Sequence, residues 1–320
     1  MQSYQKRESA VVNDSKKKFS KKSIRRDFKI NKLLYLMAAP VIAYFIIFHY
    51  IPIWGLVISF QDYVPMKGIW GSEWIGIKNF IDFFNSYYFW RLIKNTLTIN
   101  IANLIFGFPA PIVFALLLNE LKNGLFKRSI QTISYIPHFV SIMVVCGILI
   151  NFTASEGLFN DIIQFFGGDR SNLLRQPEMF VPIYVGSEIW QRIGYSSIIY
   201  LAAISSINPE LYEAAYMDGA NRLKQAVHIT LPGIMSTIIV LLLLRMGKML
   251  SVGFEKIILL YNPSIYKTAD VISSFVYRKG LLDTDYSYAT AVSFFNSFMN
   301  LLLLMIANTL SRRLSETSLW

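Results

Sequence analysis

Four ionisable residues stand inside otherwise apolar runs: Glu188, Arg192, Arg245 and Lys248. A charge in hydrocarbon costs several kcal/mol, so such groups face a partner or a water-filled cavity. Two arrangements fit their spacing. In one, Glu188 and Arg192 pair at i, i+4 on one helix face, Lys248 snorkels toward water, and Arg245 bonds to neighbouring carbonyls. In the other, the four line a cavity in which three cations stand against one anion, and Arg offers bidentate contacts to a carboxylate ligand. Tyr184, Trp190, Gln191 and Tyr195 lie nearby and supply rings for stacking and polar atoms for hydrogen bonding. Asn296 and Asn300, like Asn100 and Asn103, form short polar stripes that interhelical hydrogen bonds explain equally well.

Chemistry beyond binding is absent from the pattern. No glycine-rich loop ends in Lys-Ser or Lys-Thr, so the chain has no phosphate-binding loop for ATP. The three histidines, His49, His138 and His228, are far apart and make no metal-ligand spacing. Cys146, the single cysteine, sits in an apolar run where a small buried thiol is the expected role. The chain is expected to be non-catalytic, with no catalytic residue, metal or cofactor of its own.

The elements that hold these residues follow from composition. Hydrophobic residues make up 54% of the 320 residues and charged residues only 16%; an ordinary globular protein has about 25% charged residues. Mean hydropathy is +0.41. That composition excludes a soluble enzyme and predicts an all-α, polytopic membrane protein. Six runs approach the roughly 20 apolar residues needed to cross a bilayer: Leu33–Phe60, Thr96–Leu118, Ile130–Phe152, Val181–Ile204, Leu231–Gly253 and Ala289–Leu310. At about 1.5 Å per residue, Glu188, Arg192, Arg245 and Lys248 then fall roughly 8–16 Å below the outer surface.

Residues 1–32 hold eleven Lys and Arg against three acids, +8 of the net +11. They read as a disordered, cytoplasmic tail that touches anionic lipid, without the interleaved aromatics of a nucleic-acid site. Counting Lys and Arg by loop gives 18 inside and 10 outside with the N-terminus in the cytoplasm, which predicts both termini inside. The membrane domain runs over 33–313, followed by a short tail, 314–320. Three outer segments, Gln61–Asn95, Thr153–Phe180 and Phe254–Tyr288, are long enough for a docking surface, and Leu158–Phe166 has the apolar spacing of an interfacial helix.

The inner loop over 205–230 is the most informative stretch. Asn208 is a candidate N-cap and Pro209 suits the first helical position. Gly219 can take the positive φ that ends the helix, and a second short helix follows before Pro232. Helix, turn and helix are therefore expected to lie across the cytoplasmic face. Glu213-Ala214-Ala215, Asp218-Gly219-Ala220 and Leu231-Pro232 resemble the EAA loop of ABC importer permeases, and the resemblance extends over essentially all of 30–313. Phe254 to Pro263 and Thr268 to Ile272 are similar to the carbohydrate-uptake branch, in particular to permeases for aldouronate, rhamnogalacturonan and alginate oligosaccharides. Ala226 departs from the larger apolar residue of many relatives.

The resemblance implies a permease subunit of the bacterial inner membrane that forms a pathway with a second permease. Two ATPase subunits carrying ATP and Mg would bind the coupling loops, and an extracytoplasmic solute-binding protein would deliver the oligosaccharide. Glu213, Ala214, Ala215, Asp218 and Gly219 would be the ATPase-coupling residues, with Glu213 accepting an Arg of the ATPase. The residues around Glu188 would then line a sugar pathway, and their positive excess would favour uronate-containing oligomers. The rival is an ion-coupled secondary transporter with no ATPase, which gives the loop no role.

Overall fold

The computed structural model describes residues 30–315, with side chains to Arg313. Most of the basic tail, 1–29, and residues 316–320 of the C-terminal tail lie outside the described residues. The chain divides into two compact units, 1–57 and 58–320.

In the first unit α1, Lys32–Phe45, passes through a π-turn at Ile46–Tyr50 into a short helical turn, Ile51–Ile53. No side chain from Lys32 to Ile53 is buried. A helix this apolar needs lipid or other apolar surface around it.

The second unit is helical apart from an antiparallel pair of two-residue strands, β1 Gln61–Asp62 and β2 Glu73–Trp74. α2 spans Tyr88–Ala102 and α3 Pro109–Glu120. Pro109 and Pro111 leave carbonyls on the preceding turn without their N–H partners. A π-turn at Asn103–Gly107 absorbs the mismatch, with Phe108 N–H donating to the Asn103 carbonyl at 3.0 Å. α4 is Leu125–Phe139, α5 Ile142–Thr153 and α6 Leu158–Phe165. The central helix α7, Pro177–Ser205, packs on α2, α3 and α4. It meets α4 at Gly194, where a Cβ would collide with the Ser134 carbonyl. α8 is Glu210–Met217, α9 Met235–Met246, α10 Phe254–Leu260, α11 Ile272–Tyr277 and α12 Tyr286–Ser315.

Among the described residues four stretches are long and apolar enough to cross a membrane: Lys32–Phe60, Tyr88–Glu120, Ile142–Phe165 and Tyr286–Arg313. The pair Arg222–Gly233 and Met235–Met246, bent by 60°, adds a fifth if taken as one span. α7 has ample length at 29 residues, but Ser187, Glu188, Gln191, Arg192 and Ser197 dilute its apolar character.

The expected spans need three further corrections. The second begins at Tyr88 rather than Thr96, so Arg91 and Lys94 belong to a helix and not to a loop. The third is not continuous: Val140 and Ser141 are extended, and the Ser141 hydroxyl accepts the Val144 N–H to start α5 afresh. The fifth stops at Met246, seven residues before Gly253. Leu250 N–H there donates to Asn300 Oδ1 at 2.9 Å instead of continuing the helix. Broken helices at membrane depth persist where the freed backbone groups find protein partners or line a cavity.

A buried ionic knot holds the segment after α10 against α2. Asp270 is wholly buried, and its carboxylate lies 2.8 Å from both Arg91 and Arg278. Ser274 Oγ donates to the other oxygen at 2.9 Å, and Asn95 donates to the Asp270 carbonyl at 2.9 Å. Arg91 stands 179 residues from Asp270 and Arg278 only 8, and no local pattern in the sequence marks either pair.

Candidate substrate cavity and coupling surface

Two helix breaks meet at the middle of α7. Val140, in the break between α4 and α5, turns its carbonyl toward Gln191, whose Nε2 lies 3.5 Å away. Gly253, in the break after α9, faces the Tyr184 hydroxyl. A Cβ there would come within 3.0 Å of that hydroxyl. Between them opens a cavity of about 390 Å³ whose lining includes His138, Glu188, Gln191, Arg192, Phe254 and Lys256.

Glu188 organises the charge. One oxygen lies 3.1 Å from Lys256 Nζ and the other 3.1 Å from Arg192 Nε. Lys256 is only 2% exposed. Its ammonium also reaches the Tyr184 carbonyl at 3.5 Å and lies 4.8 Å from the centre of the Tyr184 ring. The Arg192 side chain is 61% exposed. Arg245 lies within electrostatic reach of Glu188, Arg192 and Tyr184. Lys256 pairs with Glu188 in the wall, Arg192 and Glu255 add one exposed charge of each sign to the lining, and Arg245 stands outside it. Arg192, bonded to Glu188 through Nε, keeps most of its side chain exposed.

The structure gathers part of the expected set. Glu188, Gln191 and Arg192 line the cavity, Tyr184 forms its buried support, and Tyr195 stacks on His138 with centroids 3.9 Å apart and planes 3° from parallel. Four residues are placed elsewhere. Lys248 is exposed and joins none of the ion pairs, because α9 has already ended. Trp190 points to a separate, apolar cavity against α5 and α6. Asn300 caps the break at Leu250 and donates to Ser251 Oγ at 3.0 Å, and Asn296 lines a different cavity. Asn100 bonds back to the Thr96 carbonyl within its own helix. Lys256 and His138 were the omissions. Lys256 sits in a segment that reads as a loop, and only an acidic partner such as Glu188 explains a lysine amid Ile257, Ile258, Leu259 and Leu260.

The loop over 205–230 folds as expected, with one refinement. Asn208 Oδ1 accepts the Glu210 N–H at 3.1 Å and so opens α8. Gly219, at φ +74°, closes it as Ala220 N–H reaches back to the Ala215 carbonyl and Gly219 N–H to Tyr216. Asn221 accepts the Lys224 N–H at 2.9 Å and caps the second helix, Arg222–Gln225, from which Ala226–Thr230 continue as a π-turn. Arg222 pairs with Glu120 at 2.9 Å and ties the loop to the end of α3. Glu213, Ala214, Asp218 and Gly219 are exposed and Ala215 is half-buried. Among the described residues Glu213 has no ion-pair partner, and it stands beside bare Leu211, Tyr216, Met217 and Leu223. An exposed apolar patch around a free carboxylate is the mark of a docking face.

The profile of the family described as "Binding-protein-dependent transport system inner membrane component" matches residues 107–316, which include both the cavity and the loop. The chain belongs to this family. It is a permease component of a binding-protein-dependent ABC importer. It is 48% identical over 290 residues to the polygalacturonan/rhamnogalacturonan transport system permease protein YteP of Bacillus subtilis (strain 168), covering 90% of each chain. It is 43% identical over 293 residues to protein LplB of the same organism, covering 91% of this chain and 92% of that one. Its fold superposes with a TM-score of 0.85 on a chain of a bacterial ABC transporter involved in the import of the acidic polysaccharide alginate, at 46% identity over 92% of this chain and 99% of that one. The same fold was solved with an alginate pentasaccharide-bound periplasmic protein.

Proposed function

We propose that this permease component carries acidic, uronate-containing oligosaccharides across the inner membrane, and that its cavity at Glu188 is where they pass. The observation that carries the reading is the Lys256–Glu188 pair, which neutralises one of the two lining carboxylates and leaves the exposed guanidinium of Arg192, with Glu255, facing the cavity. The likeness to permeases whose names include polygalacturonan and alginate supports it. A uronate carboxylate would bond to Arg192, while His138 and Tyr195 offer a flat stacked platform for the ring.

The rest of the assembly follows the same reading. A second permease completes the pathway, and a solute-binding protein delivers sugar to the face bearing the 254–285 segment. Two ATPase subunits, which bind the ATP and Mg that this chain does not, dock on α8. Glu213 accepts an Arg of the ATPase, Ala214 and Ala215 permit close approach, and Asp218 and Gly219 shape the turn. The chain performs no catalysis, crosses the membrane six times if bent and polar-faced helices are counted, and keeps both termini in the cytoplasm.

The test is ATP hydrolysis by the assembled complex in lipid nanodiscs, with the binding protein loaded in turn with uronate and neutral oligosaccharides. Stimulation that is larger with uronates supports the role of Arg192. Equal stimulation by both reduces the cavity charges to structural locks.

A further inference from the structure

Beside the first cavity, between α10, α11 and the start of α12, lies a second of about 650 Å³. Both fall within the roughly 300–1,000 Å³ of small-ligand sites. Phe254 lines the two of them, and its ring packs on Tyr277 with centroids 5.2 Å apart. One aromatic side chain is therefore the wall shared by two chambers.

The second chamber differs chemically from the first. Ser273, Tyr277, Tyr286, Thr290 and Ser293 bring hydroxyls and Asn296 an amide, while no charged side chain lines it. Tyr286, Thr290, Ser293 and Ser297 recur every three or four residues, along one face of α12. Further along the same helix Leu301, Leu302, Met305, Ile306 and Leu310 are exposed, as lipid requires.

Two of the residues that line the chamber, Ser273 and Asn296, hold buried polar atoms, Oγ and Oδ1, with no hydrogen-bond partner. Buried polar atoms are nearly always paired, so two orphans in one cavity call for a ligand or bound water that completes them. Oδ1 only accepts, whereas Oγ donates or accepts. The completing group must therefore offer hydroxyl hydrogens and hydroxyl oxygens together, without needing a counter-charge. The hydroxyl-bearing edge of a sugar ring does so.

We infer that this chamber is a second saccharide subsite, holding a further ring of the same chain whose carboxylated unit sits at Arg192, with Phe254 as the ring over which the chain passes. The inference rests on the oligosaccharide reading above and adds to it that this chain selects for oligomer length. The polar edge of a second ring satisfies Asn296 and Ser273, and a chain too short to pass Phe254 leaves them empty.

The experiment is sugar-stimulated ATP hydrolysis by the full complex in nanodiscs, with the binding protein loaded with disaccharides through pentasaccharides in both a uronate and a neutral series. Wild type is compared with Asn296→Leu, Ser293→Phe, which fills the chamber, and the milder Asn296→Ser. Co-purification of the ATPase and the second permease certifies assembly. The expected result is a loss of about fivefold or more in stimulation by pentasaccharides, the scale of one or two lost hydrogen bonds, with disaccharide stimulation unchanged. An equal loss at every length, the signature of a packing contact with the second permease, overturns the inference. An unchanged length profile in the variants overturns it too. Length is read in whichever series stimulates the wild type, so a failure of the uronate preference counts against the charge reading and leaves the subsite result standing.

Discussion

Replacing Glu188 by Gln removes the one anion that holds Lys256 in the protein interior. The carboxylate is 11% exposed and the Lys256 side chain 2%, at 3.1 Å. Removing one partner of a buried pair costs about 3–5 kcal/mol, because the other is left uncompensated. The Tyr184 ring, 4.8 Å from the ammonium, remains in place. It keeps part of the charge satisfied and puts the loss near the lower end, about 3 kcal/mol. Lys256→Met is the milder change, since Glu188 keeps Arg192 at 3.1 Å and that side chain reaches solvent; about 1 kcal/mol is expected. The double variant replaces both charges with neutral groups of similar shape. It should cost only about 1 kcal/mol, recovering most of the loss and giving a coupling of about 3 kcal/mol. The assay is reversible denaturation of the purified chain in mixed micelles, followed by tryptophan fluorescence. If Glu188→Gln and Lys256→Met cost the same and the double variant costs their sum, the two charges do not act as a pair and the reasoning fails.

Other consequences are sharp enough to check. Glu213→Ala should lower sugar-stimulated ATP hydrolysis about tenfold or more, equivalent to about 1.4 kcal/mol of coupling. The melting of the chain should stay unchanged, because Glu213 is exposed and its carboxylate pairs with nothing among the described residues. Asp270→Asn, which strips the shared counter-charge from Arg91 and Arg278, should destabilise the chain by about 3 kcal/mol in the same denaturation assay. Gly194→Leu should abolish the yield of monodisperse protein in size-exclusion chromatography, since its side chain would enter the Ser134 backbone. Gly194→Leu with normal yield would mean that α4 and α7 have room to separate.

The membrane class, the helix, turn and helix over 205–230 and the pairing of Glu188 with Arg192 were legible in the sequence because each rests on local pattern. Gly219 illustrates this: a glycine after Ala-Ala-Tyr-Met-Asp can end the helix without outside help, and it does so at φ +74°. Helix breaks were not legible. Ile130–Phe152 is uniformly apolar enough to read as one span, yet it breaks at Val140 and Ser141, where Gln191 approaches the Val140 carbonyl from 51 residues away. The same holds for Lys256 and for Asp270, whose burial depends on partners 68 and 179 residues distant. Hydropathy averages over such positions, so a buried lysine in a short apolar helix registers as a loop charge. Lys248 failed in the opposite direction: counting depth from Gly253 assumed a helix that had already ended at Met246.

The central claim is the proposal that Arg192, on the cavity wall, favours carboxylated sugar, with Arg245 acting from outside the lining. It is tested most directly by ATP-driven uptake of labelled uronate and neutral oligosaccharides into proteoliposomes carrying the complete complex, with wild type beside Arg192→Gln and Arg245→Gln. A charge-assisted hydrogen bond is worth about 1.5–3 kcal/mol, so uronate uptake at sub-saturating concentration should fall about tenfold or more in Arg192→Gln, with neutral sugar little affected. Equal loss of both sugars, or undiminished uronate uptake, would contradict the account.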